Sequence, residues 1–228
     1  MASIKLKHTS GNGTILNSPA ANPSSDITLK LPSTTGSAGQ VLSVASANHS
    51  STNAELEFAA AGGISMIDTY NLSSSQSMSG ASWNYLKTNF SRVNGAFGTM
   101  NVTGLGTGLS VDTSGSASIF SFPSTGYYEI TFTATTGANT SSSHDYVYTA
   151  IFIARDGSSY DNVVQSISFI YSSSNTVYET QVAKAVIDVT NTSNDKFKLA
   201  IQPEQSSLLL GSNDKFYTYV QVKKLAET

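Results

Sequence analysis

The chain has 228 residues, 39% of them hydrophobic and only 12% charged, with a net charge of −3. Its 12 Lys and Arg residues are scattered, with no stripe to follow phosphates, which argues against a nucleic-acid partner. There is no cysteine, so disulfides, thiolate metal sites and Cys nucleophiles are all excluded.

The polar role falls to Ser, Thr, Asn and Gly, residues that suit twisted sheets and short turns. A charge-poor surface also lowers the desolvation cost of assembly. The opening MASIKLKHTSGNGT has no apolar core of signal-peptide length, and nothing later reaches the length of a membrane span. The expectation is a protein made in a cytoplasm, without membrane insertion. Asn-x-Ser/Thr triplets at Asn12, Asn71 and Asn191 are what chance gives in so hydroxyl-rich a chain.

Residues 1–62 read as an arm of short alternating strands: Ile4 and Leu6; Ile27, Leu29 and Leu31; Leu42 and Val44; Leu56 and Phe58. Turn-rich stretches separate them, and each strand is too short to hold a core alone. Ile4, Leu6, Ile27, Leu29 and Leu31 are therefore the expected anchoring contacts to another protein. The small, flexible tract Ala59–Gly63 marks the boundary to a head over residues 63–228.

In the head, ISMIDTYNL reads as a first strand. Trp83, Leu86 and Phe90 then stand at helix-like spacing, which fits a short helix or a compact loop. Past the glycine-rich connector VTGLGTGLS, strands dominate. Tyr128, Ile130, Phe132 and Ala134 share one face of a strand. Tyr146–Ala154 is apolar on both faces and must be covered on both. Further alternations follow at Ile167, Phe169 and Tyr171; at Ala183, Ala185, Ile187 and Val189; at Phe197, Leu199 and Ile201; and from Phe216 to Val222. Many strands with frequent turns and no long helix predict an all-β jelly-roll sandwich with an extended, β-rich N-terminal arm.

The pattern F-x-F-P-x-x-G-Y-Y-x-I-x-F at Phe120–Phe132 resembles the core motif of the tumour-necrosis-factor and complement-globular-head superfamily. VAKAVIDVTNTSNDKFKLAI and KFYTYVQVKKL are similar to later strands of that family. The resemblance covers roughly residues 64–228 and implies a trimeric jelly roll assembled through aromatic faces. The arm resembles the N-terminal modules of marine-phage (cyanophage-like) fibre and virion structural proteins, with a lysine-alternating start and an LP-x(6)-GQVL hairpin. Together the two resemblances imply a phage virion protein.

Catalytic constellations are weak. Asp156 and Asp161 share the turn RDGSSYDN, where Asp is favoured for its own hydrogen bonding. That turn, NTSND and GSND offer oxygen ligands without the spacing of a calcium loop. His144 beside Asp145 would point to the opposite face of a strand, the wrong geometry for a triad. No enzyme activity, cofactor or metal is expected.

Tyrosine is abundant, at 11 copies. Its large area and polar tip suit subunit seams first and sugar stacking second. Tyr146, Tyr148, Phe152, Tyr217 and Tyr219 are the expected homotrimer interface. The loops carrying His144, Asp145, Asp156, Tyr160 and Asp161 are the expected receptor contacts.

The sequence thus points to a non-enzymatic trimer on a virion surface, its arm on other virion proteins and its head on a host glycan or receptor, as a fibre. The alternative is a decoration protein that stabilises the capsid. In the turn Phe122–Tyr127, Gly126 is expected at positive φ, and Ser124→Ala is expected to be nearly silent.

Overall fold

The computed structural model describes residues 3–7, 13–17, 28–37, 40–50, 53–60, 63–138, 143–171 and 177–227. These fall into two compact units, residues 1–61 and 62–228.

In the first unit, β1 (Ser3–Lys7) and β2 (Gly13–Asn17) form an antiparallel pair, with Ser3 opposite Asn17 and Lys7 opposite Gly13. β3 (Thr28–Lys30), β4 (Gln40–His49) and β5 (Asn53–Ala60) make a small sheet in the order β3-β5-β4. β3 runs parallel to β5, and β4 and β5 form the antiparallel hairpin. β3 and β4, joined by the LP-x(6)-GQVL segment, do not pair with each other, so the expected hairpin is not formed between them. Gln40 Nε2 donates to the Phe58 carbonyl (3.1 Å), and its Oε1 accepts from the Ser37 amide (2.7 Å). Gly36, at φ 71°, lies over the Phe58 ring, where a Cβ would come within 2.6 Å. Ile27 lies outside the described residues.

The second unit is a sandwich of two antiparallel sheets. Its strands are β6 (Met66–Leu72), β7 (Gln76–Met78), β8 (Asn84–Tyr85), β9 (Phe90–Arg92), β10 (Gly95–Phe97), β11 (Met100–Val102), β12 (Ser110–Asp112), β13 (Ile119–Ser121), β14 (Gly126–Ala138), β15 (His144–Ala154), β16 (Tyr160–Ile170), β17 (Val177–Val189), β18 (Lys196–Pro203), β19 (Ser207–Leu209) and β20 (Tyr219–Ala226). The first sheet runs β17-β14-β20-β6-β9, with β19 and β7 continuing it beside the far end of β14. The second runs β16-β15-β18-β13-β12, with β8 also on β18. From β13 onward the chain passes between sheets at most steps, with the β15–β16 and β19–β20 steps staying in one. That strand order defines a jelly roll.

The alternation in β14 decides its packing. Tyr128, Ile130, Phe132 and Ala134 are all fully buried, as are Leu199 and Ile201 on β18 across the sandwich. Phe120 stacks on Phe197 at 4.7 Å, and Tyr70 meets Phe120 edge-on at 5.1 Å. Burial of each such side chain contributes about 1.5–3 kcal/mol.

The segment with Trp83, Leu86 and Phe90 forms no helix. Asn84 organises it as a loop: its Nδ2 donates to the carbonyls of Ser79 (2.9 Å), Ser82 (2.9 Å) and Ile201 (3.3 Å), and its Oδ1 accepts from the Ser79 amide (2.9 Å). β8 and β9 flank Leu86, whose side chain enters the core.

Candidate functional site

β15 places Val147, Thr149, Ile151 and Ile153 toward the core, leaving Tyr146, Tyr148, Ala150 and Phe152 on the outer face. That face is covered from within the chain. Trp83 packs edge-on against Phe152 at 5.1 Å, and Tyr85 does so at 5.6 Å. Lys198 lies over the rings of Tyr85 (4.2 Å) and Tyr160 (4.5 Å), and burial lowers its pKa. Phe152 is thus spent inside the head, and the double-sided strand needs no second subunit to cover it. Tyr146 and Tyr148 stack on each other at 4.8 Å and remain half-buried. Tyr217 and Tyr219 are half-buried in the other sheet's region, where Thr135 Oγ1 donates to the Tyr217 carbonyl (2.9 Å).

The uncovered apolar surface lies elsewhere. β16 turns Val164, Ser166, Ser168 and Ile170 inward and Ile167 and Phe169 outward, with Tyr171 just beyond it. Ile167 is 61% exposed, and Phe169 and Tyr171 are each 72% exposed. On the outer face of the other sheet, β17 exposes Tyr178, Val182 and Val186. Among the described residues, β16 pairs only with β15, and β17 only with β14, so each ends its sheet. A groove of about 410 Å³ between them is lined by Ile167, Phe169, Ile170, Tyr171, Val177 and Glu179. Alternation was legible at Ile167, Phe169 and Tyr171, but not that this face looks outward.

The expected receptor residues do not share one surface. His144 opens β15 and is only 2% exposed; its Nδ1 has no partner among the described residues, and burial lowers its pKa against an opposing effect of Glu204. It is a buried residue and not a loop-tip contact. Asp145 is exposed, its amide donating to Glu204 Oε2 (2.6 Å). Asp156 Oδ1 accepts from the amides of Ser159 (2.7 Å) and Ser158 (2.9 Å), which hold its pKa down at about 2. That carboxylate serves its own turn. Asp161 is exposed, and Tyr160 lies against Lys198.

In the NTSND turn, buried Asp195 accepts from the amides of Thr190 (2.8 Å) and Asn191 (2.9 Å) and pairs with Arg155 at 3.1 Å. Among the described residues, no group of three or more His, Asp or Glu side chains could hold a metal ion.

The glycine-rich connector has a packing role that spacing alone did not reveal. Asp68, buried on β6, holds Arg92 of β9 through two bonds of 2.9 and 3.0 Å and accepts from the Leu109 amide (2.8 Å). A Cβ at Gly108 would meet Asp68 Oδ2 at 2.4 Å. Tyr70, beneath Arg92, has its pKa pushed up to about 12, mainly by burial.

The fold defines an all-β jelly-roll protein. No family model and no curated protein matches the sequence. Among solved structures, murine APRIL at pH 5.0 is similar at 12% identity and a TM-score of 0.47, over 70% of this chain and 98% of that one. Eiger TNF from S. frugiperda is similar at 11% identity and a TM-score of 0.46, over 73% of this chain and 95% of that one. The jelly-roll assignment rests on the strand order itself.

Proposed function

We propose that the chain is a non-enzymatic, homotrimeric surface protein of a phage particle, anchored by its arm and presenting its head to the host surface as a fibre. The observation that carries the self-association is the exposed apolar strip of Ile167 and Phe169 along β16, with Tyr171 just beyond it. Several large side chains line one groove on two strands that each end a sheet, and monomers rarely leave such patches bare. A second copy of the head, docked head to tail so that the contacts close into a ring of three, is the occupant that such a surface suits.

Support for the arm's role is of two kinds. Its described sheet keeps Leu29, Leu31, Val41, Leu42 and Val44 exposed, with Leu31 at 76%. The sequence of the arm also resembles phage fibre and virion modules. Tight packing of Phe152 beneath Trp83 and Tyr85 moves the proposed seam from the β15 face to the β16 strip.

The test is sedimentation of the purified full chain, joined to a competition assay in which it blocks adsorption of particles to host cells. About three chains per species and blocked adsorption support the reading. A stable monomer at micromolar concentration removes the trimer, and adsorption untouched by saturating protein removes the attachment role. Antibody label over the whole shell, and none at the tail, would replace the fibre with a capsid decoration protein.

A further inference from the structure

A separate pocket of about 210 Å³ lies at the β6–β9 edge of the first sheet, the edge opposite β17. Asn71, Ser73, Ser91, Arg92, Asn94 and Asn213 line it, together with Phe97. Three primary amides and two hydroxyls in so small a volume supply both donors and acceptors without net charge. The charged member, Arg92, is already neutralised by the bidentate pairing with Asp68. Phe97 is fixed by its stack on Phe216, with ring centroids 4.3 Å apart.

Asn71 is the built element. It is 2% exposed, and its Nδ2 is committed to the carbonyls of Leu72 (3.1 Å) and Ser212 (2.6 Å). Those two bonds fix the amide's orientation and leave Oδ1 buried without a donor among the described residues. An unpaired buried carbonyl oxygen is costly, and a hydroxyl that reaches it as this wall gives would relieve it. Burial also removes Asn71 as a glycosylation acceptor.

We propose that this pocket binds one neutral saccharide unit, its hydroxyls exchanging hydrogen bonds with Asn71, Asn94 and Asn213. An anion finds no unpaired cation among the lining residues, and an apolar ligand would strand the amides. Vicinal hydroxyls, each donor and acceptor, match the amide pattern. The proposal rests on the attachment reading for its biological setting and replaces the dispersed loop contacts at His144, Asp145, Asp156, Tyr160 and Asp161 as the sugar-contacting site.

Saturation-transfer NMR on the full chain tests it, with glucose, galactose, mannose and N-acetylglucosamine as neutral probes and sialic acid and glucose 6-phosphate as charged ones. The expected result is transfer to at least one neutral sugar, stronger than to either charged probe. In the double variant Asn94→Ala/Asn213→Ala, affinity should fall about tenfold while the melting temperature is kept, since both residues are exposed. Transfer to no neutral sugar, equal transfer to charged probes, or an unchanged signal in the double variant would each overturn the pocket. If the pocket fails while wild-type protein still blocks particle adsorption, the attachment reading stands without it. If adsorption is untouched but the sugar signal behaves as expected, the reverse holds.

Discussion

Replacing Gly126 by Val should damage the head more than any other single change in the Phe122–Tyr127 turn. Gly126 has φ 139°, a conformation L side chains rarely adopt, and leads directly into β14. Holding a non-glycine residue there costs about 1–3 kcal/mol. A Cβ would also lie 2.5 Å from the Ala226 carbonyl oxygen and 2.4 Å from Lys224 Cε. Lys224 cannot simply swing aside: its buried ammonium donates to Ser124 Oγ at 2.9 Å and meets Glu227 Oε2 at 2.5 Å. Overpacking of that kind adds about 1–3 kcal/mol. For a domain of this size each kcal/mol lowers Tm by about 2–4 °C, so Gly126→Val should melt about 4–24 °C below wild type.

The same geometry corrects the expectation that Ser124→Ala is nearly silent. Ser124 Oγ accepts from Lys224 and lies 3.2 Å from the Tyr128 hydroxyl, which also donates to the Ser124 carbonyl at 3.0 Å. Losing the Oγ should cost about 1 kcal/mol, or about 2–4 °C. Circular-dichroism melts of the full-length variants side by side decide it. A shift below about 2 °C for Gly126→Val would refute the reasoning, because neither the strain nor the clash could then be real.

Three more variants test other parts of the head. Ile167→Asp/Phe169→Asp should turn a three-chain species into a monomer in sedimentation while leaving the fold intact, as both side chains are exposed. Asn84→Ala should free the loop over the aromatic layer, costing about 1–2 kcal/mol and shifting the emission of Trp83, the single tryptophan, to the red. His144 has a folded pKa below its unfolded value of 6.5, so its contribution is present above that pH and is lost as pH falls through the folded pKa. Tm should therefore drop on going from pH 7 to pH 5 in wild type and drop less in His144→Gln; equal slopes would show that His144 is not the titrating group.

Local alternation made the core of the head legible. β14, β17 and β18 turn inward the residues their sequences suggest, because one face of each is continuous in apolar side chains. The same signal misled at β16. Its apolar set is the outward one, while Ser166 and Ser168 face in, and period alone assigns residues to a face without saying which face is covered. Coverage of β15 was equally hidden, since Trp83 and Tyr85 lie some sixty residues earlier in the chain. In the arm, the parallel pairing of β3 with β5 has no local marker at all. β2 was missed because Ile15 and Leu16 are adjacent rather than alternating. The Asn71 pocket escaped because it gathers residues from three stretches of chain, none with a motif.

β20 lies between β14 and β6, pairing Val222 with Ile130 on one side and with Asp68 on the other. A central place in the first sheet is thus filled by the strand of the head that is synthesised after all the others described. Until it arrives, β6 has emerged about 150 residues earlier with that hydrogen-bonding edge vacant. The first sheet of the head can therefore close only once residues 219–226 are available, by a slow long-range pairing. During that interval the nascent chain carries an open β edge, and chaperone occupancy should end when β20 inserts.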